Sequence, residues 1–253
     1  MTASQRPSLM TGRSRRIVFR IAACAVFVLA IAAVFAQQPA PSTKTDAEII
    51  RGIDDSVSRR TNTISTYTVQ EQYTLYRNGD TTPAAEETIQ TVYTRAIGKE
   101  YTPIAQSGSA FLRSAVIDKV LAGEKDLNLA ANREGALITS KNYDLQPQPG
   151  SVDLNGRTCI LVTLKPRRKS PHLFTGKMWI DASDYTVVRL AGAPSQSPSI
   201  FAGQTTVARD YIKIDGFSMA THAEARSHTF LFGDTLLKID YTNYKIQQDP
   251  PAK

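Results

Sequence analysis

The spacing of apolar and polar residues first predicts a helix. Thr45 and Glu48 have the spacing of a capping box, in which each residue binds the backbone of the other. Apolar residues then recur at helical intervals, at Ile49, Ile50, Ile53 and Val57. We therefore expect a helix over about residues 46–60, with a narrow apolar stripe that packs against another element.

A change to a period of two marks the first strand, "ISTYTVQEQYTLY", which ends at a turn beginning with Asn78-Gly79. One face of this strand carries Tyr67, Val69, Glu71, Tyr73 and Leu75. The direction of this face stays open, because an acidic residue lies among its apolar ones. We expect Glu71 to be tethered by a neighbouring Arg, Lys or Tyr, with an acid–base role as the alternative.

The rest of the chain predicts more strands and one helical insert. Strands are expected through "TIQTVYTRAIG" and "EYTPIA", and residues 109–133 suit a helix broken near Gly123. Beyond residue 153, strands alternate with turn pairs such as Asn155-Gly156 and Asp215-Gly216, which is typical of an antiparallel meander. This order of elements predicts an α+β fold.

The first 36 residues have the pattern of an export signal: arginines, a continuous apolar run, and Val34-Phe35-Ala36 before a cleavage site. The run is shorter than the roughly 20 residues of a spanning helix, so we expect cleavage after Ala36 and a periplasmic protein. An uncleaved signal that anchors the chain in the inner membrane is the alternative. "SRRIVFR" leaves general secretion and twin-arginine export both open.

Removal of the signal changes the charge and cysteine content of the chain. Five arginines leave with residues 1–36, so the formal net charge falls from +7 to +2, which does not favour a nucleic-acid partner. Cys24 also leaves, and the remaining Cys159 is expected to pack as a small apolar residue. We expect residues 37–45 to be a disordered leader.

Motifs that would indicate catalysis or metal binding do not occur in readable form. His222 and His228 lie six positions apart, which is about 20 Å along a strand and too far for one ion. There is no Gly-rich phosphate loop, nucleophile elbow or pair of metal-spaced cysteines. The sequence predicts no enzyme activity, catalytic residue, metal or cofactor. The run "KPRRKSPH" is interpreted as a solvated loop, with anionic lipid headgroups or a partner surface as the alternative.

Five segments in succession carry a family resemblance: "ALITSKNYDL", "DLNGRTCILVTLKPRRK", "GKMWIDASDYTVVRL", "VARDYIKIDGFSMATHAEA" and "LLKIDYTNYKI". Their order and turns resemble outer-membrane lipoprotein-sorting-like proteins, the LolA/LolB-type group that includes RseB-like sensors. The resemblance implies a domain over residues 46–247 and a disordered tail over residues 248–253. It implies a curved, incompletely closed antiparallel β-barrel, or half-barrel, with helices covering the concave face.

The same resemblance implies a function and a cavity. Such a trough takes acyl chains of lipids or lipoproteins, with only transient membrane contact. The alternative is an RseB-like sensor that uses the trough to bind an envelope partner protein. In the hairpin at residues 176–190, Lys177, Asp181 and Arg189 are expected to face water, and Trp179 and Tyr185 to be outer-face aromatics. The candidate cavity residues are Ile53, Val57, Val69, Tyr73, Leu75, Met178, Ile180, Val188 and Leu190.

Overall fold

Helix α1 spans Asp46–Thr63 and is therefore longer at its C-terminal end than predicted. The computed structural model describes residues 44–196, 205–229 and 233–250, and the predicted signal peptide lies outside them. The capping box is present: the Glu48 N–H donates to Thr45 Oγ1 over 3.3 Å, and the Thr45 N–H donates to Glu48 Oε2 over 2.7 Å. Lys44 also donates to the Ala182 carbonyl, so this end of the expected leader contacts the folded domain.

The described residues form one antiparallel sheet of eleven strands. Its order is β3-β2-β1-β11-β10-β9-β8-β7-β6-β4, with β5 paired to β6. The terminal strands β3 and β4 do not pair with each other, so the predicted α+β half-barrel, an incompletely closed sheet with helices, is confirmed. The strands are β1 Ile64–Arg77, β2 Ala85–Thr94, β3 Gly98–Gly108, β4 Tyr143–Pro147, β5 Val152–Leu154, β6 Arg157–Pro166, β7 Phe174–Asp181, β8 Val187–Pro194, β9 Thr205–Ile214, β10 Phe217–Thr229 and β11 Gly233–Gln248.

Tight turns join the strands where the sequence predicts them. Asn155 and Gly156 have φ of 56° and 73°, and Asp215 and Gly216 have φ of 51° and 83°. Positive φ at both central residues is what a two-residue hairpin turn requires, and Asn, Asp and Gly accept it at low cost.

One face of the sheet carries most of the buried apolar side chains, and pairing shows which residues belong to it. Directly opposed residues share a face, and Tyr73 is opposed to Ile239, which is opposed to Ala223. The same relation continues through β9 to Leu190 and Met178. The open question about β1 is therefore answered: Glu71 lies on the covered face.

Two apolar clusters lie on this face. Cluster I surrounds β1, β2 and β11, and its buried members are Ile64, Tyr67, Val69, Tyr73, Leu75, Ala85, Ile89, Tyr93, Leu112, Ile117, Phe217, Met219, Ala223, Leu237, Ile239 and Tyr241. Cluster II lies beneath α1, and its buried members are Ile49, Ile53, Tyr143, Leu145, Ile160, Val162, Leu164, Leu173, Met178 and Ile180.

Residues 110–136 form a second helical layer, which we call the cover. It consists of α2 (Ala110–Leu112), a π-helical turn (Arg113–Ile117), α3 (Asp118–Asn128) and α4 (Ala130–Ala136). The expected break near Gly123 is wrong, because Gly123 lies inside α3. The helix breaks instead at Leu129, whose ψ of 142° is extended.

The hairpin of β7 and β8 corrects two expectations. Asp181 does not face water, because its carboxylate accepts hydrogen bonds from Arg157 Nη2 over 2.8 Å and Lys213 Nζ over 3.1 Å. Tyr185 is not an outer-face aromatic: it has a φ of 60° and packs on α1. A Cβ at Gly52 of α1 would lie 2.3 Å from the Tyr185 ring, so only glycine permits this contact.

The C-terminal strand reaches further than predicted. Gln248 belongs to β11, and Asp249 pairs with Arg95 over 2.7 Å, so the sheet holds the start of the segment expected to be a tail. Residues 251–253 lie outside the described residues. Among the helices that are described, none has the length and apolar character needed to cross a membrane.

Candidate functional site

The covered face carries a buried carboxylate at its centre. Glu71 is completely buried on β1, and its Oε2 accepts a hydrogen bond from the Tyr73 hydroxyl over 2.5 Å. Its Oε1 lies 3.9 Å from Lys99 Nζ on β3. Burial raises the pKa of Tyr73, and the nearby Glu124 and Glu71 carboxylates raise it further, so the phenol remains a hydrogen-bond donor. These contacts agree with the tethered Glu71 expected from the sequence.

An ionic cluster connects the cover to the sheet. Glu124 of α3 pairs through Oε2 with Lys99 Nζ, and through Oε1 with Arg209 Nη2 of β9 over 2.7 Å. The exposed fractions of these side chains are 15% for Glu124, 10% for Lys99 and 31% for Arg209. We call these three residues the latch, because they join an otherwise lightly packed helix to two distant strands.

Electrostatics keep the latch charged. Burial alone would raise the pKa of Glu124, but Lys99 and Arg209 hold it well below its usual value of 4.5. Burial alone would lower the pKa of Lys99, but Glu124 raises it well above its usual value of 10.5. Both partners are therefore ionised throughout the neutral range, and the contact is an ion pair.

The cover is anchored at one end and lightly packed at the other. Leu112 and Ile117 are buried in cluster I, whereas α3 and α4 contain no buried residue. Val120 and Leu121 contribute partly buried apolar contacts to cluster I. By contrast, α1 buries Ile49 and Ile53 and is fixed at its start by the capping box. The attachment of residues 118–136 to the sheet therefore relies on the latch, whereas the attachment of α1 relies on its buried apolar side chains.

A small cavity lies where the cover meets the C-terminal end of α1. Its volume is about 160 Å³. Its floor includes Tyr67 and Tyr93, whose rings stack with centroids 4.8 Å apart. The lining residues are Arg60, Thr61, Ile64, Tyr67, Tyr93, Leu127, Asn128, Arg133, Ala136 and Leu137.

The candidate residues predicted from the sequence are not brought together around one cavity. None of the nine lines the cavity of Tyr67 and Tyr93. Val69, Tyr73 and Leu75 belong to cluster I. Val188 is buried. The others belong to or pack against cluster II: Ile53, Val57, Met178, Ile180 and Leu190.

The buried cysteine and the two histidines of β10 have contacts within the fold. Cys159 is buried, and this burial raises the pKa of its thiol. His222 Nδ1 lies 2.6 Å from Asp240 Oδ1, and His228 Nδ1 lies 2.7 Å from Asp234 Oδ1. Within the described ranges, no group of three or more His, Cys, Asp or Glu side chains is arranged to hold a metal ion.

No family model and no curated protein matches the chain. Among solved structures it is similar to a LolA superfamily protein from Nitrosomonas europaea, with 13% identity over 82% of this chain and 96% of the other at a TM-score of 0.44. It is similar to an outer membrane lipoprotein-sorting protein domain from Vibrio parahaemolyticus, with 10% identity, coverages of 77% and 91%, and a TM-score of 0.42. It is also similar to the MucA/MucB complex of Pseudomonas aeruginosa, with 9% identity, coverages of 79% and 94%, and a TM-score of 0.27.

These structures include members of the lipoprotein-sorting group, which this chain resembles in the order of its strands and turns. All three TM-scores lie below 0.5, so no activity is transferred from these proteins to this chain. The function is inferred from the cover, the latch and the apolar face.

Proposed function

We propose that this protein is a periplasmic carrier or binder of lipid or lipoprotein acyl chains, which enter cluster I beneath α3 and α4. One observation supports this most strongly: two helices with no buried residue lie against cluster I, where Val120 and Leu121 pack and where Arg133 lies over the buried ring of Tyr93. A structural cover normally buries its own apolar stripe. This one is held by the latch, by partly buried contacts of Val120 and Leu121, and by hydrogen bonds from Asn142 and Arg168 to carbonyls of α4. It exposes the apolar face when it lifts.

The energies favour exchange of a chain. Each methylene moved from water into an apolar site contributes about 0.8 kcal/mol, so half an acyl chain supplies several kcal/mol. Opening the latch returns its charges to water, and their hydration offsets much of the attraction that is lost, so opening costs less than the chain supplies. An entering chain therefore offsets the loss of the latch, and a chain that leaves allows the latch to re-form.

The size of the cavity supports the same mechanism. Pockets for drug-sized ligands have volumes of about 300–1,000 Å³. The cavity between the cover and α1 has only about 160 Å³, so an acyl chain enters there only if residues 118–136 move. A second, open cleft of about 540 Å³ lies at the other end of the cover, beside Phe111 and Leu112. The periplasmic location rests on the signal sequence predicted at residues 1–36.

Hydrogen exchange with and without palmitate tests the proposal. Binding should change amide exchange in α3 and α4 and leave β6 and β7 nearly unchanged, because these strands belong to cluster II and do not line the cavity. Strands β6 and β7 are therefore the internal control. Native mass spectrometry of protein purified from the cell envelope would identify any lipid that is retained. A protein that retains no lipid and shows no palmitate-dependent exchange would contradict the carrier function.

The alternative function, a sensor that binds a partner protein, is favoured by the edge of the sheet. In the described sheet β3 pairs with β2 alone, and most of its residues are exposed, including Ile104 at 56%. An extended peptide is able to add to such an edge through backbone hydrogen bonds. Changes in hydrogen exchange confined to β3 on addition of envelope proteins would favour this function over the carrier.

A further inference from the structure

The cavity at the end of α1 has two arginines and no acidic residue among its lining side chains. Arg60 and Arg133 are both half-buried. Within the described residues, neither guanidinium forms an ion pair with a carboxylate. Arginine is suited to binding carboxylate and phosphate groups, so two half-buried arginines that line one small cavity indicate a site for an anion.

Both arginines are held in place by neutral groups. Arg60 Nε donates to the Ser218 carbonyl over 3.2 Å, and its Nη2 lies 3.9 Å from Met219 Sδ. Arg133 donates through Nε and Nη2 to the Asn128 carbonyl over 3.3 Å and 2.8 Å. Each guanidinium carries five N–H donors, so these contacts leave Nη1 of both arginines available to a ligand.

The floor of the cavity suits an amphiphile rather than a free inorganic anion. Arg133 Cζ lies 5.2 Å above the Tyr93 ring, which stacks on Tyr67. Ile64 and Leu137 complete the apolar part of the lining. A head group between the arginines would therefore continue directly into apolar surface of cluster I, to which Tyr67 and Tyr93 belong.

Helix dipoles do not cancel this positive charge. Arg60 lies in the last turn of α1, Asn128 is the last residue of α3 and Ala136 is the last residue of α4, so three C-terminal helix ends lie beside the cavity. Each end is equivalent to roughly half a negative charge. Two full positive charges remain the larger contribution, and the net field favours an anion.

We propose that Arg60 and Arg133 bind the anionic head group of a single-chain lipid, a carboxylate or a phosphate monoester, whose chain lies beneath the cover. This inference rests on the proposed carrier function and narrows its ligand class. The cavity of about 160 Å³ accommodates the head and the first methylenes, and the remaining chain requires the cover to lift.

Titration with palmitate, lysophosphatidic acid and palmityl alcohol tests the inference, since the alcohol has the same chain as palmitate without the charge. Hydrogen bonds to a charged group contribute about 1.5–3 kcal/mol, so wild-type protein should bind palmitate about tenfold or more tightly than the alcohol. Arg60→Gln and Arg133→Gln should each remove most of this preference without changing affinity for the alcohol. Lysophosphatidic acid distinguishes a phosphate source from a carboxylate source.

Three control proteins make the result specific. Arg226→Gln removes an exposed arginine that pairs with Glu224 outside the cavity, and it should bind all three lipids as wild type does. The variants Arg60→Lys and Arg133→Lys keep the positive charge. They should retain part of the preference for palmitate over palmityl alcohol if the Gln variants lose it. Thermal melts check that each variant folds.

Two kinds of outcome would overturn the inference, and they differ in whether the carrier function also fails. Equal binding of acid and alcohol, or tighter binding of a triacylated lipopeptide than of either, would exclude the anion site and leave the carrier function standing. Failure to bind any acyl ligand would overturn both proposals.

Discussion

Replacement of Glu124 by Gln should release the cover without unfolding the sheet. The substitution keeps the size of the side chain but removes the charge shared by Lys99 and Arg209. Among the described residues, Lys99 then pairs with Glu71 alone, at 3.9 Å. Two cations are left close together in a site that is largely shielded from water.

The magnitude follows from the exposure of the three partners. Removing one member of a buried ion pair costs about 3–5 kcal/mol, because the remaining charge is buried without a partner. Arg209 is 31% exposed and Glu124 15%, so water screens part of this loss and we take about 3 kcal/mol. Since about 1.4 kcal/mol is a factor of ten, the cover should open roughly 100-fold more often.

Native-state hydrogen exchange measures this opening directly. Amides in α3 and α4 should exchange roughly 100-fold faster in Glu124→Gln than in wild type, whereas amides of β6 and β7 should change much less. Glu134→Gln is the matched control, because it removes an exposed carboxylate that pairs with Lys141 on the surface. Equal acceleration in the cover and in β6 would refute the reasoning, since the cover would then unfold only with the whole domain.

Three further predictions concern the effect of pH on the latch and the effects of alanine at Gly98 and Gly123. The pKa of Glu124 is lowered from 4.5 in the folded protein, so its contribution to stability is complete above pH 4.5 and is lost as pH falls through the lowered pKa. The pKa of Lys99 is raised from 10.5, so its contribution to stability is complete below pH 10.5 and is lost as pH rises through the raised pKa. The ratio of α3 exchange rates in Glu124→Gln and wild type should therefore stay constant between these limits, and a change of this ratio near pH 6 would contradict the assignment. The ratio cancels the separate contact between His172 and Asp126 of α3. Gly98→Ala should destabilise the protein by more than about 1 kcal/mol in urea, because Gly98 has a φ of 106° and a Cβ would lie 2.8 Å from the Asn128 carbonyl oxygen. Gly123→Ala, at a helical position with open space, should instead stabilise it by about 0.5–1 kcal/mol.

Local chemistry explains which parts of the fold the sequence predicted. The capping box of Thr45 and the turn at Asn155-Gly156 depend on neighbours within a few residues, and both occur where expected. The alternation of β1 is equally clear from the sequence, but the sequence does not show which of the two faces of β1 is covered. Glu71 lies on the covered face because Lys99, far away in the chain, compensates its charge.

The parts that were missed depend on contacts between distant segments. Tyr185 was assigned to the outer face by alternation, but it packs against Gly52, which no local pattern connects with it. Gly123 was expected to break the helix, although glycine only weakens a helix, and the break occurs at Leu129. Arg60 and Arg133 share a cavity only because α1 and α4 meet there, so charge pattern alone could not indicate it.

The pairing of β1 with β11 also determines when this protein is able to fold. Ile64 is opposed to Gln248, so a strand near the start of the described chain lies between β2 and the last described strand. Contacts of such long sequence separation form slowly, because a long loop must close before they stabilise the chain. A ribosome or a membrane channel that handles this polypeptide from its N-terminus therefore meets an incomplete sheet until residues 233–248 have emerged. Shortening the chain by that one strand would leave β1 and β10 with exposed edges, and we expect the product to aggregate rather than to fold as a smaller domain.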